Sequence, residues 1–135
     1  MKIVIDTNIW VSLAIGSRSV TEDLISIIEN SEAVIVVSEE LLDEITTTLA
    51  KPKLRKYLTQ ERTNQLFSIL NNNCFLEQSI SNKRYCRDER DDFLINLAFD
   101  SSSQFLISGD LDLLILNPID NLEILSIKQF LEFLK

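Results

Sequence analysis

The 135-residue chain contains no histidine. Imidazole acid–base catalysis, Ser-His-Asp triads and the nitrogen-rich zinc sites therefore drop out together. Cysteine is nearly as scarce: Cys74 and Cys86 fit neither a disulfide scaffold nor a CxxC redox or zinc motif. No apolar run reaches the roughly 18 residues that a membrane span requires. Lys2, Ile3, Val4 and Ile5 run at once into Asp6, too soon for the apolar stretch of a secretion signal. A cytoplasmic location without membrane contact is the expectation. Basic residues are also few, 13 Lys and Arg against 21 Asp and Glu, for a formal charge of −8. Such a chain does not attract nucleic acid through its overall field. A polyanionic partner would need local field reversal, by bound divalent cations or by a basic protein.

What is present reads as one α/β domain over residues 1–135. Apolar residues make up 45% and charged residues 25%, ordinary for a globular chain. Ile3–Ile5 and Ala33–Val37 are continuously apolar, as strands covered on both faces are. Shorter strands are expected at Cys74–Leu76, Phe105–Ile107 and Glu123–Leu125. Between them the spacing predicts helical character over Ile9–Ile15, then a helix over 21–30 burying Leu24, Ile27 and Ile28. Ser38 opens a helix with the stripe Leu41, Leu42, Ile45 and Leu49, which Pro52 interrupts. Thr59 opens another, burying Leu66, Phe67 and Leu70. Residues 77–90 read as a polar loop, Asp91–Phe99 as a helix, Leu111–Leu114 as a helical turn and Ile127–Leu134 as a last helix. Strands alternating with helices point to a mainly parallel sheet.

In such a sheet ligands bind beyond the carboxyl ends of the strands. Asp6 ends the first strand there, and Asp110 follows the fourth after Ser108 and Gly109. Glu44 lies on the shoulder of its helix's buried stripe, and Asp91 shares a face with Leu94 and Ala98. Each has a plain structural reading: Asp91 as a first-turn acid, Glu44 as a solvated helix residue, Asp110 as turn chemistry. Asp6 is the hardest to explain that way, although Thr7 or Asn8 could cap the next helix. Clustered carboxylates repel and raise one another's pKa values, a cost that magnesium or manganese removes. Both ions prefer oxygen ligands, and either would orient a phosphate and acidify a water that attacks phosphorus. One or two ions per site are compatible with the residues.

Four blocks, "VIDTNIWVS", "VVSEELLDEITTTL", "RDERDDFLINLA" and "FLISGDLDLL", resemble in order and spacing those of a PIN domain, across nearly the whole chain. Glu89 departs from the pattern, which often has proline there. The resemblance implies a three-layer α/β/α fold with a five-stranded parallel sheet, and metal-dependent cleavage of RNA. It implies Asp6, Glu44, Asp91 and Asp110 as catalytic, metal-binding acids, with Thr7 or Asn8 in support. Asp88, Asp92 and Asp112 are reserves, and the choice between Asp91 and Asp92 is open. The chain is further similar to VapC-like toxins of toxin–antitoxin pairs, which implies a cognate antitoxin carrying a basic residue for the acidic site, and a homodimer.

RNA contacts beyond the acids would fall to Lys83, Arg84, Arg87 and Arg90, which lead into Asp91, or to Lys51, Lys53, Arg55 and Lys56. Tyr85 or Trp10 could stack a base, Trp10 being equally a core or dimer residue. A PIN-fold binding module without turnover is the non-enzymatic alternative. A phosphatase of the haloacid dehalogenase type also starts with a strand ending in Asp, but Asn8 stands where its second acid belongs. A receiver domain would need paired early acids and a late lysine that are not evident.

Overall fold

The computed structural model describes residues 1–29 and 32–135. Five strands, β1 (Lys2–Ile5), β2 (Val34–Val37), β3 (Cys74–Leu76), β4 (Phe105–Ile107) and β5 (Glu123–Leu125), form one sheet in the order β3-β2-β1-β4-β5. All pairings are parallel, and Ile3 stands beside Ile35 on one side and Phe105 on the other. The order reverses at β1, so the crevice of a doubly wound sheet opens between the carboxyl ends of β1 and β4. The apolar runs are buried as expected: Ile3, Val4 and Ile5 have no exposed surface.

Helices cover both sides of the sheet. They are α1 (Thr7–Ala14), α2 (Arg18–Glu29), α3 (Glu39–Leu49), α4 (Gln60–Asn72), α5 (Asp92–Asp100), α6 (Leu111–Leu114) and α7 (Ile127–Leu134). α1 packs on α2, α3 and α4, while α5 lies on β1 and β4. Ser38 and Thr59 act as the caps foreseen, whereas Thr7 and Asn8 do not cap α1, because both lie inside it and Asp6 is its N-cap residue. Ser38 Oγ accepts from Leu41 N–H at 3.1 Å and Thr59 Oγ1 from Arg62 N–H at 3.2 Å. Pro52 opens a 3₁₀ turn over Pro52–Tyr57, its fixed φ suiting a first helical position.

The sequence reading needs several corrections. α1 starts at Thr7 rather than Ile9, and α2 at Arg18 rather than 21. In α2, Thr21 donates both N–H and Oγ1–H to Ser17 O, which extends the helix toward its start. The expected end of that helix at Asn30 lies outside the described residues. Phe67 is only half-buried, and Ile69 joins Leu66 and Leu70 in the core. Asp91 ends a 3₁₀ turn (Glu89–Asp91), capped by Asp88 accepting from Arg90 N–H at 3.0 Å, and is the N-cap residue of α5, which starts one residue later than expected, at Asp92. Trp10 is fully buried and donates its indole N–H to Ile5 O at 3.1 Å, so it cannot stack on a base. Tyr85 spends one ring face on Phe99, at 5.8 Å between centroids. Among the described residues no helix is long and apolar enough to cross a membrane.

Candidate active site

The crevice at β1 and β4 is built around Asp6. Its backbone continues the β1–β4 ladder, N–H to Ile107 O at 2.9 Å, and its residue is the N-cap of α1. Its side chain makes no capping bond and turns instead to Ser108, whose hydroxyl donates to Asp6 Oδ2 at 2.7 Å. Ser108 Oγ in turn accepts from Asp110 N–H at 3.0 Å, and Asp110 Oδ1 caps α6 by accepting from Asp112 N–H at 2.9 Å. One serine thus ties the first and last of the expected acids together. Nothing in the sequence except its place beside Asp110 marks Ser108.

The electrostatics show which acids share the crevice. Asp6 is 6% exposed, and burial raises its pKa. The Ser108 bond opposes that rise, and the charge of Asp110 adds to it. Burial likewise raises Glu44, which sits on α3 as the stripe geometry foresaw and also feels Asp6 and Glu40. Asp91 is pushed up to about 6, first by burial, then by Asp110, Asp6, Asp88 and Glu44. Asp6, Glu44, Asp91 and Asp110 therefore lie within one another's fields. Thr7 Oγ1 is buried beside them. It favours the ionised form of Glu44, yet closes no hydrogen bond, leaving an unpartnered buried polar atom at the site.

The reserve acids behave differently, because each meets an arginine. Arg90 grips Asp88 through Nε and Nη2, at 2.8 Å for the shortest contact, and holds its pKa down at about 2. Arg87 reaches Asp112 at 3.3 Å. Asp92 is 5% exposed and accepts from Tyr85 N–H, Cys86 N–H and Arg84 Nε. Burial pushes the Asp92 carboxyl up, but those donors outweigh it and leave the pKa lowered. Asp92 thus anchors the preceding loop, and Asp91 is the one of the pair inside the acidic field. Among the described residues, Asp6, Glu44, Asp91 and Asp110 form no ion pair.

The basic arm is positioned from α5. Asp92, Asn96 and Asp100 recur every four residues, on one helical face. Asn96 pairs with both Lys83 N–H (3.1 Å) and Lys83 O (3.0 Å). Asp100 accepts from Ser79 Oγ, Ile80 N–H, Ser81 N–H and Ser81 Oγ. These three side chains satisfy the backbone of a loop that has no strand partner. Arg84, Arg87 and Arg90 stay exposed though paired. Of the other cluster, Lys51 is near enough to Glu44 to lower its pKa, and Lys56 Nζ sits 5.1 Å over the Tyr57 ring.

The donor set suits a hard divalent ion: four carboxylates, a free hydroxyl, no imidazole. Thiolate ligation is disfavoured, since burial pushes Cys74 and Cys86 up to about 12. Among the described residues no group of three acids is already arranged as a metal cage. Magnesium does not require one, because it keeps several waters and takes one or two carboxylates directly.

A parallel sheet with its order reversing at β1, covered by helices on both sides, defines a doubly wound α/β class. The sequence profile of the PIN domain matches residues 2–112, and the chain belongs to the PIN domain family, whose members are generally nucleases. It is 35% identical over 119 residues to the uncharacterized protein MJ1680 of Methanocaldococcus jannaschii, covering 84% of this chain and 74% of that one. Its fold is similar to that of VapBC2 from Rickettsia felis, solved bound to a DNA fragment from their promoter: TM-score 0.61, 16% identity, 92% of this chain and 97% of that one. It is also similar to the PIN domain of human SMG5, with TM-score 0.53, 10% identity and full coverage of both chains.

Proposed function

We propose that the chain is a magnesium- or manganese-dependent endoribonuclease that hydrolyses RNA phosphodiester bonds at the β1–β4 crevice. The observation that carries this reading is the division among the acids. Asp88, Asp92 and Asp112 each have an arginine, whereas Asp6, Glu44, Asp91 and Asp110 crowd together with no cation paired to them among the described residues. Keeping such a cluster costs stability, and a bound cation would offset the cost.

Asp6, Glu44, Asp91 and Asp110 are the residues that would hold one or two ions. When bound, a divalent ion neutralises charge on the phosphate oxygens and makes a water more acidic. The chain's own groups set the geometry. Ser108 fixes the Asp6 carboxylate relative to Asp110, and the unpartnered Thr7 hydroxyl offers a donor and an acceptor to a water or a phosphate oxygen. Asn8, exposed in the first turn of α1, stands next to it. In hydrolysis the water oxygen bonds to phosphorus as the bond to the leaving sugar oxygen breaks. Lys83, Arg84, Arg87 and Arg90 are the residues that would contact the RNA backbone. The ion pairs of the three arginines lie at the surface, where they contribute little and can exchange for phosphates.

The fold likeness to VapBC2 favours the toxin of a toxin–antitoxin pair, acting in the cytoplasm, and the family resemblance adds an antitoxin whose basic side chain would enter among these acids. Leu111 at the start of α6 and Ile115 just after its end are exposed apolar residues that would suit a homodimer contact.

The test is cleavage of a mixed pool of structured and unpaired RNA with manganese, with magnesium and with EDTA, beside Asp6→Asn. Metal-dependent cutting that Asp6→Asn abolishes is expected. A folded wild-type protein that cuts nothing in that pool would sink the nuclease reading and leave the binding module without turnover.

A further inference from the structure

β3 is an edge strand with a partner only in β2. Glu77 N–H donates inward to Val37 O at 2.8 Å. Amide directions alternate along a strand, so the N–H and C=O of Leu76 face outward, unpaired by any strand. Edges of this kind are ordinarily blunted by charge or proline. Here the strand is Cys74, Phe75 and Leu76, and two of its side chains are exposed, Phe75 at 61% and Leu76 at 60%. Ile80, just beyond, is 88% exposed. Leu76 and Ile80 also line a groove of about 570 Å³ whose other wall is the start of α3, Ser38, Glu39 and Glu40. Residues on both walls of the groove are tied down by hydrogen bonds. Asp100 clamps Ile80 and Ser81 through their N–H groups on one side, and the Ser38 cap fixes α3 on the other.

The charges select the occupant. Glu39, Glu40 and Glu77 line the groove, and among the described residues no Lys or Arg does. Lys2 answers Glu77 at 3.1 Å from outside it, while Glu39 and Glu40 have no ion pair among the described residues. RNA would be repelled. A second copy meeting edge to edge would bring the same glutamates of two chains of charge −8 together. A segment alternating basic and aliphatic residues would satisfy the free edge, the apolar patch and the glutamates at once.

We propose that the outer edge of β3 and its acidic groove dock an extended segment of a partner protein, added as a strand, with Lys or Arg facing Glu39 and Glu40 and aliphatic side chains on Leu76 and Ile80. The proposal needs neither metal nor turnover, so it stands or falls apart from the nuclease reading.

The probe is a random-peptide display library panned on the full chain, without RNA or divalent metal. Enrichment of sequences alternating Lys or Arg with Val, Ile or Leu is expected. A synthetic copy should slow hydrogen exchange at the Leu76 amide, and should bind Glu39→Lys/Glu40→Lys at least about tenfold more weakly. Circular dichroism of that double variant checks that it folds. No enrichment, or binding indifferent to the two glutamates, overturns the proposal. So does a dimer in sedimentation that Leu76→Lys dissociates, which would make a second copy the occupant.

Discussion

At the residue scale, two adjacent aspartates have opposite electrostatic fates. Asp91 has its carboxyl raised to about 6 from 3.8 by burial and neighbouring acids, so the folded chain binds its proton more tightly than the unfolded chain does. Stability of the metal-free protein should therefore rise as pH falls from neutrality through about 6, with the gain complete near the unfolded value. Asp6 and Glu44, both raised, act in the same sense. Asp88, Asp92 and Asp100 are lowered, so the stability they contribute is lost below that value. A melting-temperature maximum between about pH 4 and 5 is expected. Asp91→Asn should stabilise the metal-free protein at neutral pH, by on the order of 1 kcal/mol after solvent screening, raise its melting temperature and flatten the slope. Asp92→Ala should do the reverse. It strands the Tyr85 and Cys86 N–H groups and frees Arg84, a loss of about 3 kcal/mol. If both substitutions destabilise alike, the division of roles between Asp91 and Asp92 is wrong.

At the scale of elements, periodicity and capping chemistry carried most of the fold into view. β1 and β2 announce themselves by continuous aliphatic runs, and α3 and α4 by Ser38 and Thr59 ahead of spaced apolar residues. What stayed hidden depends on contacts distant in sequence. Residues 77–90 read as an unstructured polar loop because nothing local holds them. The side chains that do hold them come from α5, 13 residues on for Lys83 and Asn96 and 20 for Ile80 and Asp100. Ser108 was missed for the same reason, since its partner Asp6 lies 102 residues away. The four acids could be gathered at one sheet edge because strand ends and helix shoulders are local patterns, but the arginine partner of Asp112, 25 residues away, is not. The α5 ladder makes a prediction of its own. Asn96→Leu fits a buried helical position by size but leaves both Lys83 backbone groups without partners. Limited proteolysis should then cut within 77–90 well before wild type does, while the rest of the fold stays resistant. Unchanged proteolysis would mean the loop is held by the packing of Tyr85 on Phe99 instead.

At the scale of the whole molecule, the charge of −8 includes four acids, Asp6, Glu44, Asp91 and Asp110, that have no ion pair among the described residues and gather at the crevice between β1 and β4. Self-repulsion of that kind lowers stability in a way two different ions relieve differently. Monovalent salt screens exposed charge over a Debye length of about 10 Å at 0.1 M but acts weakly on buried groups such as Asp6. A divalent ion that binds the folded crevice and not the unfolded chain adds about 2.7 kcal/mol at a hundred times its dissociation constant. Millimolar manganese or magnesium should therefore raise the melting temperature at neutral pH, where equal ionic strength from potassium chloride raises it far less. In Asp6→Asn the divalent increment should shrink while the salt response stays. Should manganese and potassium chloride act alike at matched ionic strength, the crevice holds no specific ion. The acids would then be a surface for a basic partner rather than the seat of a reaction.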